Sequence, residues 1–590
     1  MNNRKHYSIV MTLLVIGLIL SACAAPTPAP TAAPTQVPPT VAPTQAPTQV
    51  PPTQVPPTAA PTQAPPTVEP TKAPAQAALQ NIPRLRQLDF APFDAALAAF
   101  TADRAAQIEA IVKDADIAQV QDAVKAGKLT YAELTLYFLS RIKQYDEALR
   151  TMVELNPDAL KEAQAADQKL KEGKAAGSLF GMPVTLKDNI ETAAPLHTTG
   201  GSEILLNYQP KADASFVKQL HEAGAVILGK ANLSEFAGGV NVIPPGASAV
   251  GGLTQNPHNT DFSAGGSSSG SGAGTAAYET MISVGSETAG SLIIPASWNG
   301  VVGMYPGRGV VDGSHVIPLI KNNDSAGPIG RNVKDVAALL GVIDTKDTDY
   351  VAGLDAKALN GAKAAFFKAD VLAHAANFLE DSSDNAAIAQ LIEQSLTKAG
   401  AQVSDVELSP AKIGDQLNVA LTTLINGGVR HDLLPYLTAV GAPVKTPEEL
   451  AAYNLKEPQT RIPFKQSELD ATVADAAVKN AAEYQDAVTQ IKAAAVAALD
   501  KAFADSGADV LVSVNNYHSQ VYATANYPAI TIPLGKRANG MPVGVVLIGK
   551  PGSEAKLLAY AYALEQATQL RVNPDLSKLP LAAAATSSLP

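Results

Sequence analysis

The chain has 590 residues, of which 46% are hydrophobic and 17% charged, with a formal net charge of −11 and a pI near 5.3. This acidic balance argues against a nucleic-acid-binding protein, because phosphate contacts need clustered Lys and Arg. Cys23 is the single cysteine, which excludes intramolecular disulfides.

The N-terminus has the layout of a bacterial export signal. Arg4 and Lys5 precede an apolar run over residues 9–20, which ends in Leu20-Ser21-Ala22-Cys23. The run is too short to span a bilayer comfortably, and an ordinary signal peptide with an incidental cysteine is the other alternative. Because the only cysteine lies where lipidation needs it, we expect residues 1–23 to be a lipoprotein signal peptide. Lipidated Cys23 would then anchor the mature protein at the extracytoplasmic face of the cell membrane.

Residues 24–80 consist mostly of Pro, Thr, Ala, Gln and Val in loose repeats such as Ala42-Pro43-Thr44-Gln45. This composition cannot form a core and favours an extended chain, so it predicts a disordered linker. A ligand for a proline-binding partner is the alternative. A globular domain is expected over residues 81–580, followed by a flexible tail over 581–590.

Helical signals begin near Ala91. The pair Thr130 and Glu133 predicts a capping box, and an apolar face at helical spacing follows it at Leu134, Tyr137, Phe138 and Ile142. Asn156-Pro157 predicts the start of another helix, which runs to about Glu172.

Six short apolar runs are bounded by polar turns and separated by helical stretches. They are Val184–Leu186, Val226–Leu228, Ile282–Val284, Val510–Val514, Ile530–Pro533 and Val543–Ile548. Strands that alternate with helices over such a length predict an α/β fold with a largely buried sheet.

The segment Gly265 to Pro295 carries the strongest chemical signal. Glycines frame Ser267 and Ser291, which leaves access to the hydroxyls, and Lys187 ends a short apolar strand upstream. Two serines and a lysine are the parts needed for acyl transfer to a serine without a histidine. A Gly/Ser run alone would indicate a flexible linker, and a phosphate loop would need a Lys-Ser/Thr after the glycines. The eight histidines show no paired spacing, so we expect neither a metal nor a cofactor.

Several ordered blocks resemble those of one family. They are Leu155–Ala159, Gly181–Asn189, Asn232–Glu235, Gly327–Arg331 and Tyr527–Pro533, together with the separation of 24 residues between Ser267 and Ser291 (291 − 267). The chain resembles the amidase signature family, which uses a Ser–Ser–Lys triad, and is most similar to its bacterial peptide amidase branch. The resemblance runs from about Leu129 to about Arg571.

This resemblance implies a mixed central β-sheet with helices on both faces and an amidase catalytic domain over 81–580. It implies Ser291 as the nucleophile, Ser267 as a proton relay and Lys187 as a neutral base. Main-chain N–H groups of Thr288, Ala289 and Gly290 would form the oxyanion site, with Ser268 in support. The bond between Gly266 and Ser267 is expected to be cis. The segment 351–505 matches least well and is expected to hold helices that shape the substrate pocket.

The expected reaction hydrolyses an amide to a carboxylic acid and ammonia or an amine. Some carboxylate-binding relatives have an arginine just after the nucleophile, where this chain has Leu292-Ile293-Ile294. A neutral or C-terminally amidated substrate is therefore favoured. Two alternatives stay open, namely the glutaminase component of a tRNA-dependent amidotransferase and an inactive substrate-binding lipoprotein on the same scaffold.

Overall fold

The computed structural model describes residues 79–374, 379–408 and 412–579. Cys23, most of the expected linker and the 581–590 tail lie outside these ranges. Within them, no helix combines the length and the apolar character needed to cross a membrane.

The centre of the fold is a mixed eleven-stranded sheet in the order β1-β3-β2-β6-β8-β7-β12-β13-β11-β9-β10. A separate pair, β4 and β5, forms a small hairpin. The strands are β1 Met152–Leu155, β2 Pro183–Lys187, β3 Val226–Ala231, β4 Ala247–Ser248, β5 Gly252–Leu253, β6 Ile282–Glu287, β7 Val302–Tyr305, β8 Ser325–Gly330, β9 Lys363–Phe366, β10 Gln402–Asp405, β11 Val510–Val514, β12 Ala529–Lys536 and β13 Pro542–Ile548. Parallel pairing joins β3, β2 and β6 near one edge, where β1 adds an antiparallel edge strand, and it joins β11, β9 and β10 at the other edge. The strands between these two groups pair antiparallel.

Helices flank the sheet. They are α1 Asp94–Ala99, α2 Ala102–Val112, α3 Ile117–Lys125, α4 Tyr131–Leu149, α5 Ala159–Lys171, α6 Ser215–Glu222, α7 Ser269–Ala276, α8 Ile293–Trp298, α9 Val333–Ile343, α10 Lys368–Ala373, α11 Asn385–Lys398, α12 Lys412–Gly428, α13 Leu434–Ala439, α14 Pro447–Asn454, α15 Pro458–Arg461, α16 Ser467–Ala474, α17 Ala481–Ser506, α18 Ser519–Ala525 and α19 Glu554–Thr568. A π-helical turn, Val429–Leu433, joins α12 to α13. The predicted α/β class with a mixed central sheet is confirmed.

The local predictions are confirmed where a sequence signal was strong. All six apolar runs are strands, and Thr130 forms the predicted capping box with Glu133 at the start of α4. The helix expected after Asn156-Pro157 begins at Ala159. Strands β1, β7 and β8 were not predicted, and the 351–505 segment contributes β9 and β10 as well as the expected helices.

Small residues bring α7 close to its neighbours. Every residue of α7 is buried, and its sequence is Ser-Gly-Ser-Gly-Ala-Gly-Thr-Ala. A Cβ on Gly270 would lie 2.1 Å from the carbonyl oxygen of Thr151, and one on Gly272 would lie 2.7 Å from that of Pro295. The glycines therefore permit close backbone contact inside a helix, and this stretch is not a flexible linker. This packing holds Ser267 and Ser268, which directly precede α7, against the ends of the central strands.

Candidate active site

The carboxyl ends of β2 and β6 create the centre of the site. The two strands are parallel, with Leu186 opposite Val284. Lys187 is the last residue of β2, and Ser286 lies near the end of β6. Because parallel strands end at the same edge of a sheet, this register brings the two side chains together.

The Lys187 side chain is fully buried, and its nitrogen has three oxygen atoms within hydrogen-bond distance. Nζ lies 2.7 Å from Ser267 Oγ, 2.9 Å from Ser286 Oγ and 3.1 Å from the Ser286 carbonyl oxygen. Ser286 Oγ also accepts a hydrogen bond from Asn189 Nδ2 at 2.9 Å. Ser286, which was not predicted from the sequence, therefore fixes the lysine beside Ser267.

Burial changes the acid–base properties of this lysine. Loss of hydration lowers the pKa of Lys187 from 10.5 to about 7, while the nearby carboxyl groups of Asp324 and Glu287 act in the opposite direction. A substantial fraction of the side chain is therefore a neutral amine near pH 7, which is the form that a general base requires.

Ser267 and Ser268 lie in the turn that leads into α7. The bond between Gly266 and Ser267 is cis, as expected. The Ser268 hydroxyl donates to the Ser286 carbonyl oxygen at 2.9 Å and accepts from the Ser286 N–H at 3.1 Å. Its main-chain N–H donates to the carbonyl oxygen of Ser291 at 3.2 Å. Ser268 therefore ties the residue that holds the lysine to the backbone of Ser291.

Ser291 lies at the wall of a cavity of about 550 Å³, which Ser267, Thr288 and Ala289 also line. Gly290, just before it, has φ +101°, and a Cβ there would lie 2.8 Å from Ser519 Oγ. Ser291 precedes the short helix α8, whose residue Ile294 donates its main-chain N–H to the Gly290 carbonyl oxygen at 2.7 Å. The glycine therefore permits a turn that presents Ser291 to the cavity.

A buried carboxyl group lies beneath this turn. Glu287 Oε2 accepts the main-chain N–H groups of Leu292 at 2.8 Å and Ile293 at 3.1 Å, and Oε1 accepts the Tyr522 hydroxyl at 2.9 Å. Burial raises the pKa of Glu287, and these donors, together with the Gly290 N–H, lower it part of the way back. Glu287 therefore holds the backbone that directly follows Ser291.

A second carboxyl group fixes Thr288. The Thr288 hydroxyl donates to Asp324 Oδ1 at 2.6 Å. Asp324 Oδ2 accepts the main-chain N–H groups of Leu319 at 2.8 Å and Ile320 at 3.0 Å. Burial raises the pKa of Asp324 to about 7, against the effect of these hydrogen bonds. Asp324 therefore connects Thr288 to the neighbouring loop and places a titratable charge near Lys187.

The structure thus brings together Lys187, Ser267, Ser268, Thr288, Ala289, Gly290 and Ser291, all of which were predicted from the sequence. It adds Ser286, Asn189, Glu287 and Asp324. Ser286 could have been found from strand register, since it lies two residues beyond Val284, the partner of Leu186. No local signal identified Asp324, because its contact with Thr288 links residues 36 positions apart.

Comparisons with known proteins agree with this geometry. The amidase family profile matches residues 133–558. A probable amidase from Arabidopsis thaliana is 32% identical over 480 residues, covering 78% of this chain and 92% of that protein. A glutamyl-tRNA(Gln) amidotransferase component from a Synechococcus strain is 30% identical over 504 residues, covering 79% of this chain and 99% of that protein.

Two solved structures extend the comparison. The peptide amidase from Stenotrophomonas maltophilia is 35% identical with a TM-score of 0.70, covering 78% of this chain and 99% of that chain. An amidase family protein from Bacillus anthracis is 32% identical with a TM-score of 0.74, covering 82% of this chain and 97% of that chain. The profile match, the identities and the shared mixed sheet lead to one conclusion: this chain belongs to the amidase family and is a hydrolase of amide C–N bonds.

Proposed function

We propose that this protein is a membrane-anchored extracytoplasmic amidase that acts through an acyl-enzyme on Ser291. The 2.7 Å hydrogen bond between Lys187 Nζ and Ser267 Oγ, beside the cavity that Ser291 lines, is the observation that carries the proposal. In this proposal Ser267 passes the proton between Ser291 and the buried amine.

A neutral Lys187 can also make all three of the hydrogen bonds at its nitrogen. A neutral amine has two N–H bonds and one lone pair. The Ser286 carbonyl oxygen can only accept, so it takes one N–H, and the Ser286 hydroxyl oxygen takes the other. The lone pair then remains for the proton of Ser267. Ser286 is therefore a positioning residue that directs the lysine toward the relay.

The proposed reaction has two steps, which are acylation of Ser291 and hydrolysis of the acyl-enzyme. Ser291 Oγ attacks the substrate carbonyl carbon as its proton passes to Ser267, whose own proton passes to Lys187. The C–N bond breaks when the relay returns a proton to the leaving nitrogen, which departs as ammonia or an amine. Water then attacks the acyl ester and gives a proton to the same relay. The bond between the carbonyl carbon and Ser291 Oγ breaks as the relay returns this proton to Ser291 Oγ, which releases the carboxylic acid. The main-chain N–H groups of Thr288, Ala289 and Gly290 would stabilise the oxyanion.

The proposed substrate is an amide whose acyl part carries no carboxylate, such as a C-terminally amidated peptide. Leu292 and Ile293 are fully buried, and Ile294 lines the cavity, so this turn offers no cation for a substrate carboxylate. The similarity to a peptide amidase agrees with this substrate. Since the identity to the tRNA-dependent amidotransferase component is almost as high, L-glutamine is the competing substrate. No nucleic-acid partner is proposed.

The anchor is proposed on sequence alone, because Cys23 lies outside the described residues. The proposed lipid on Cys23 and the 24–80 linker would place the enzyme outside the cell membrane.

Triad variants test the mechanism. Ser291→Ala should abolish turnover of any amide that the wild type cleaves, and it should prevent labelling by a fluorophosphonate. Ser267→Ala and Lys187→Ala should each cost several orders of magnitude in kcat/KM, and the double variant should be little worse than either single one, because both serve one proton path. Near-normal kcat/KM in Ser291→Ala would refute the acyl-enzyme. Strictly additive losses in the pair would refute the shared relay, and efficient hydrolysis of L-glutamine alone would favour the competing substrate.

A further inference from the structure

One carboxylate stands out on the wall of the active-site cavity. The described lining residues are mostly apolar or neutral, including Trp298, Leu319, Ile425 and Asn426, and Glu468 alone among them carries a formal charge. Glu468 belongs to α16, a helix 177 residues beyond Ser291 in the chain (468 − 291). A lone charge on a largely apolar wall is a candidate determinant of substrate choice.

Among the residues that the structure describes, none compensates the charge of Glu468. Glu468 Oε2 accepts a hydrogen bond from the hydroxyl of Ser467 at 3.0 Å, and this neutral donor does not cancel the charge. Among the described residues, no lysine, arginine or histidine forms an ion pair with Glu468. Arg430, a cation on the neighbouring π-helical turn, is paired instead with Glu448 at 2.8 Å.

The described side chains that line the cavity near Glu468 add no positive charge. Asn426 lines the same part of the cavity, but its side chain is occupied by Asp475, which accepts its Nδ2 at 2.9 Å, and by Thr472, which donates to its Oδ1 at 3.1 Å. A substrate cation placed against Leu319 and Ile425 would lose hydration, and a facing carboxylate would compensate for that loss.

We infer that Glu468 gives the enzyme a preference for amides whose acyl part carries a cationic group, either an ammonium or a guanidinium. The inference rests on the proposed amidase function and narrows its substrate class. The absence of a cation in the Leu292-Ile293-Ile294 turn disfavours an anionic substrate, and Glu468 favours a cationic one on another wall of the same cavity.

Helix electrostatics offer a structural alternative for this residue. An acidic side chain in the first turn of a helix is stabilised by the helix dipole. Asp470 occupies the same turn of α16 but is exposed, and it is absent from the residues that line the active-site cavity. Asp470→Asn therefore removes one negative charge from the same helix end without changing the cavity wall, and it is the matched control for Glu468→Gln.

Three amides of similar size test which cationic group of the substrate the enzyme prefers. Nα-acetyl-lysinamide carries only a side-chain ammonium, norleucinamide only an α-ammonium, and Nα-acetyl-norleucinamide no charge. The wild type should favour one or both cationic amides over the neutral amide by roughly tenfold in kcat/KM, between the few-fold effect of exposed ion pairs and the larger effect of desolvated ones. Glu468→Gln should bring this ratio close to one, Asp470→Asn should retain it, and high salt should weaken it.

Binding to Ser291→Ala, measured by calorimetry with the same three amides, separates the two proposals. A cation preference in binding that disappears on adding Glu468→Gln would support the role of Glu468 even if the wild type cleaved none of these amides. Cleavage of all three amides with a ratio that Glu468→Gln leaves unchanged would overturn the inference and leave the amidase proposal intact. Equal loss of the preference in Asp470→Asn would also overturn it, because the effect would then belong to the charge of the helix end.

Discussion

Replacing Asp324 by Asn should shift the pH dependence of the enzyme toward lower pH. Asp324 is close enough to Lys187 to raise the pKa of that lysine, and it binds the Thr288 hydroxyl at 2.6 Å. Asn keeps an oxygen for the main-chain N–H groups of Leu319 and Ile320, and its amide nitrogen can donate to the Thr288 hydroxyl oxygen. The substitution therefore removes the charge and retains the shape.

The magnitude follows from the pKa of Lys187. Burial lowers this pKa from 10.5 to about 7, a difference of 3.5 (10.5 − 7) that corresponds to about 5 kcal/mol between the two protonation states. At pH 7 the neutral fraction of the amine rises from about 0.03% to about one half. Loss of an opposite charge nearby should lower the pKa further, by about one unit. At pH 7, where Asp324 is partly ionised, the neutral fraction should then rise from about one half toward about nine tenths.

The assay is kcat/KM from about pH 5 to about pH 9 at constant ionic strength, with an amide that does not itself titrate. In the wild type, Lys187 and Asp324 both titrate near pH 7, so the acid limb reports the pair and not one group. In Asp324→Asn, the plot of kcat/KM against pH should show a single acid limb, at lower pH than in the wild type. This expectation does not depend on the value of kcat/KM at the plateau. Thr288→Val is the control, because it removes the hydrogen bond to Asp324 and keeps the carboxyl group. It should lower the plateau and move the limb less than Asp324→Asn does, because the carboxyl group can still ionise.

A limb that stays in place or moves upward in Asp324→Asn would refute the electrostatic reasoning. A wild-type limb near the ordinary lysine pKa of about 10.4 would refute the neutral-base assignment itself. Thermal unfolding of each variant at the same pH values checks that a change in the limb does not come from loss of the fold.

Two further predictions concern the turn at Ser291 and the N-terminus. Gly290→Ala should lower kcat/KM by at least about a hundredfold, because the new Cβ would lie 2.8 Å from Ser519 Oγ in a backbone with φ +101°. Gly441→Ala, at φ +89° with nothing within 4 Å, is the control, and its kcat/KM should stay near the wild-type value. Cys23→Ser should release the protein from the membrane fraction or leave its signal uncleaved, as measured by fractionation and the mass of the mature chain. Processing and fractionation like those of the wild type would contradict the lipoprotein assignment.

The sequence predicted those parts of the fold that have a local signal. The six apolar strands and the Thr130 capping box depend on neighbours in sequence, and all are present. Strand β8 was missed because its sequence, Ser-Ala-Gly-Pro-Ile-Gly, has low strand propensity, and its place between β6 and β7 comes from long-range pairing.

The active site likewise contains residues with a local sequence signal and residues that only long-range contacts identify. Lys187, Ser267 and Ser291 stand in sequence blocks that resemble those of the family. The roles of Asp324 and Glu468, in contrast, depend on contacts between residues that are far apart in the sequence. Asp324 is defined by its hydrogen bond to Thr288, and Glu468 by a cavity wall that α16 completes. Neither placement follows from spacing along the chain.

Glycine at position 285 shows why the site needs small residues as well as chemical groups. A Cβ there would lie 2.8 Å from Ser268 Oγ and 2.7 Å from Leu292 Cδ2. Any larger residue would therefore push the turn before α7 and the turn after Ser291 away from β6. Ser268 could then no longer bind both main-chain groups of Ser286, and Ser286 is the residue that directs Lys187 toward Ser267. The acid–base chemistry thus depends on backbone approach at one strand residue that carries no functional group.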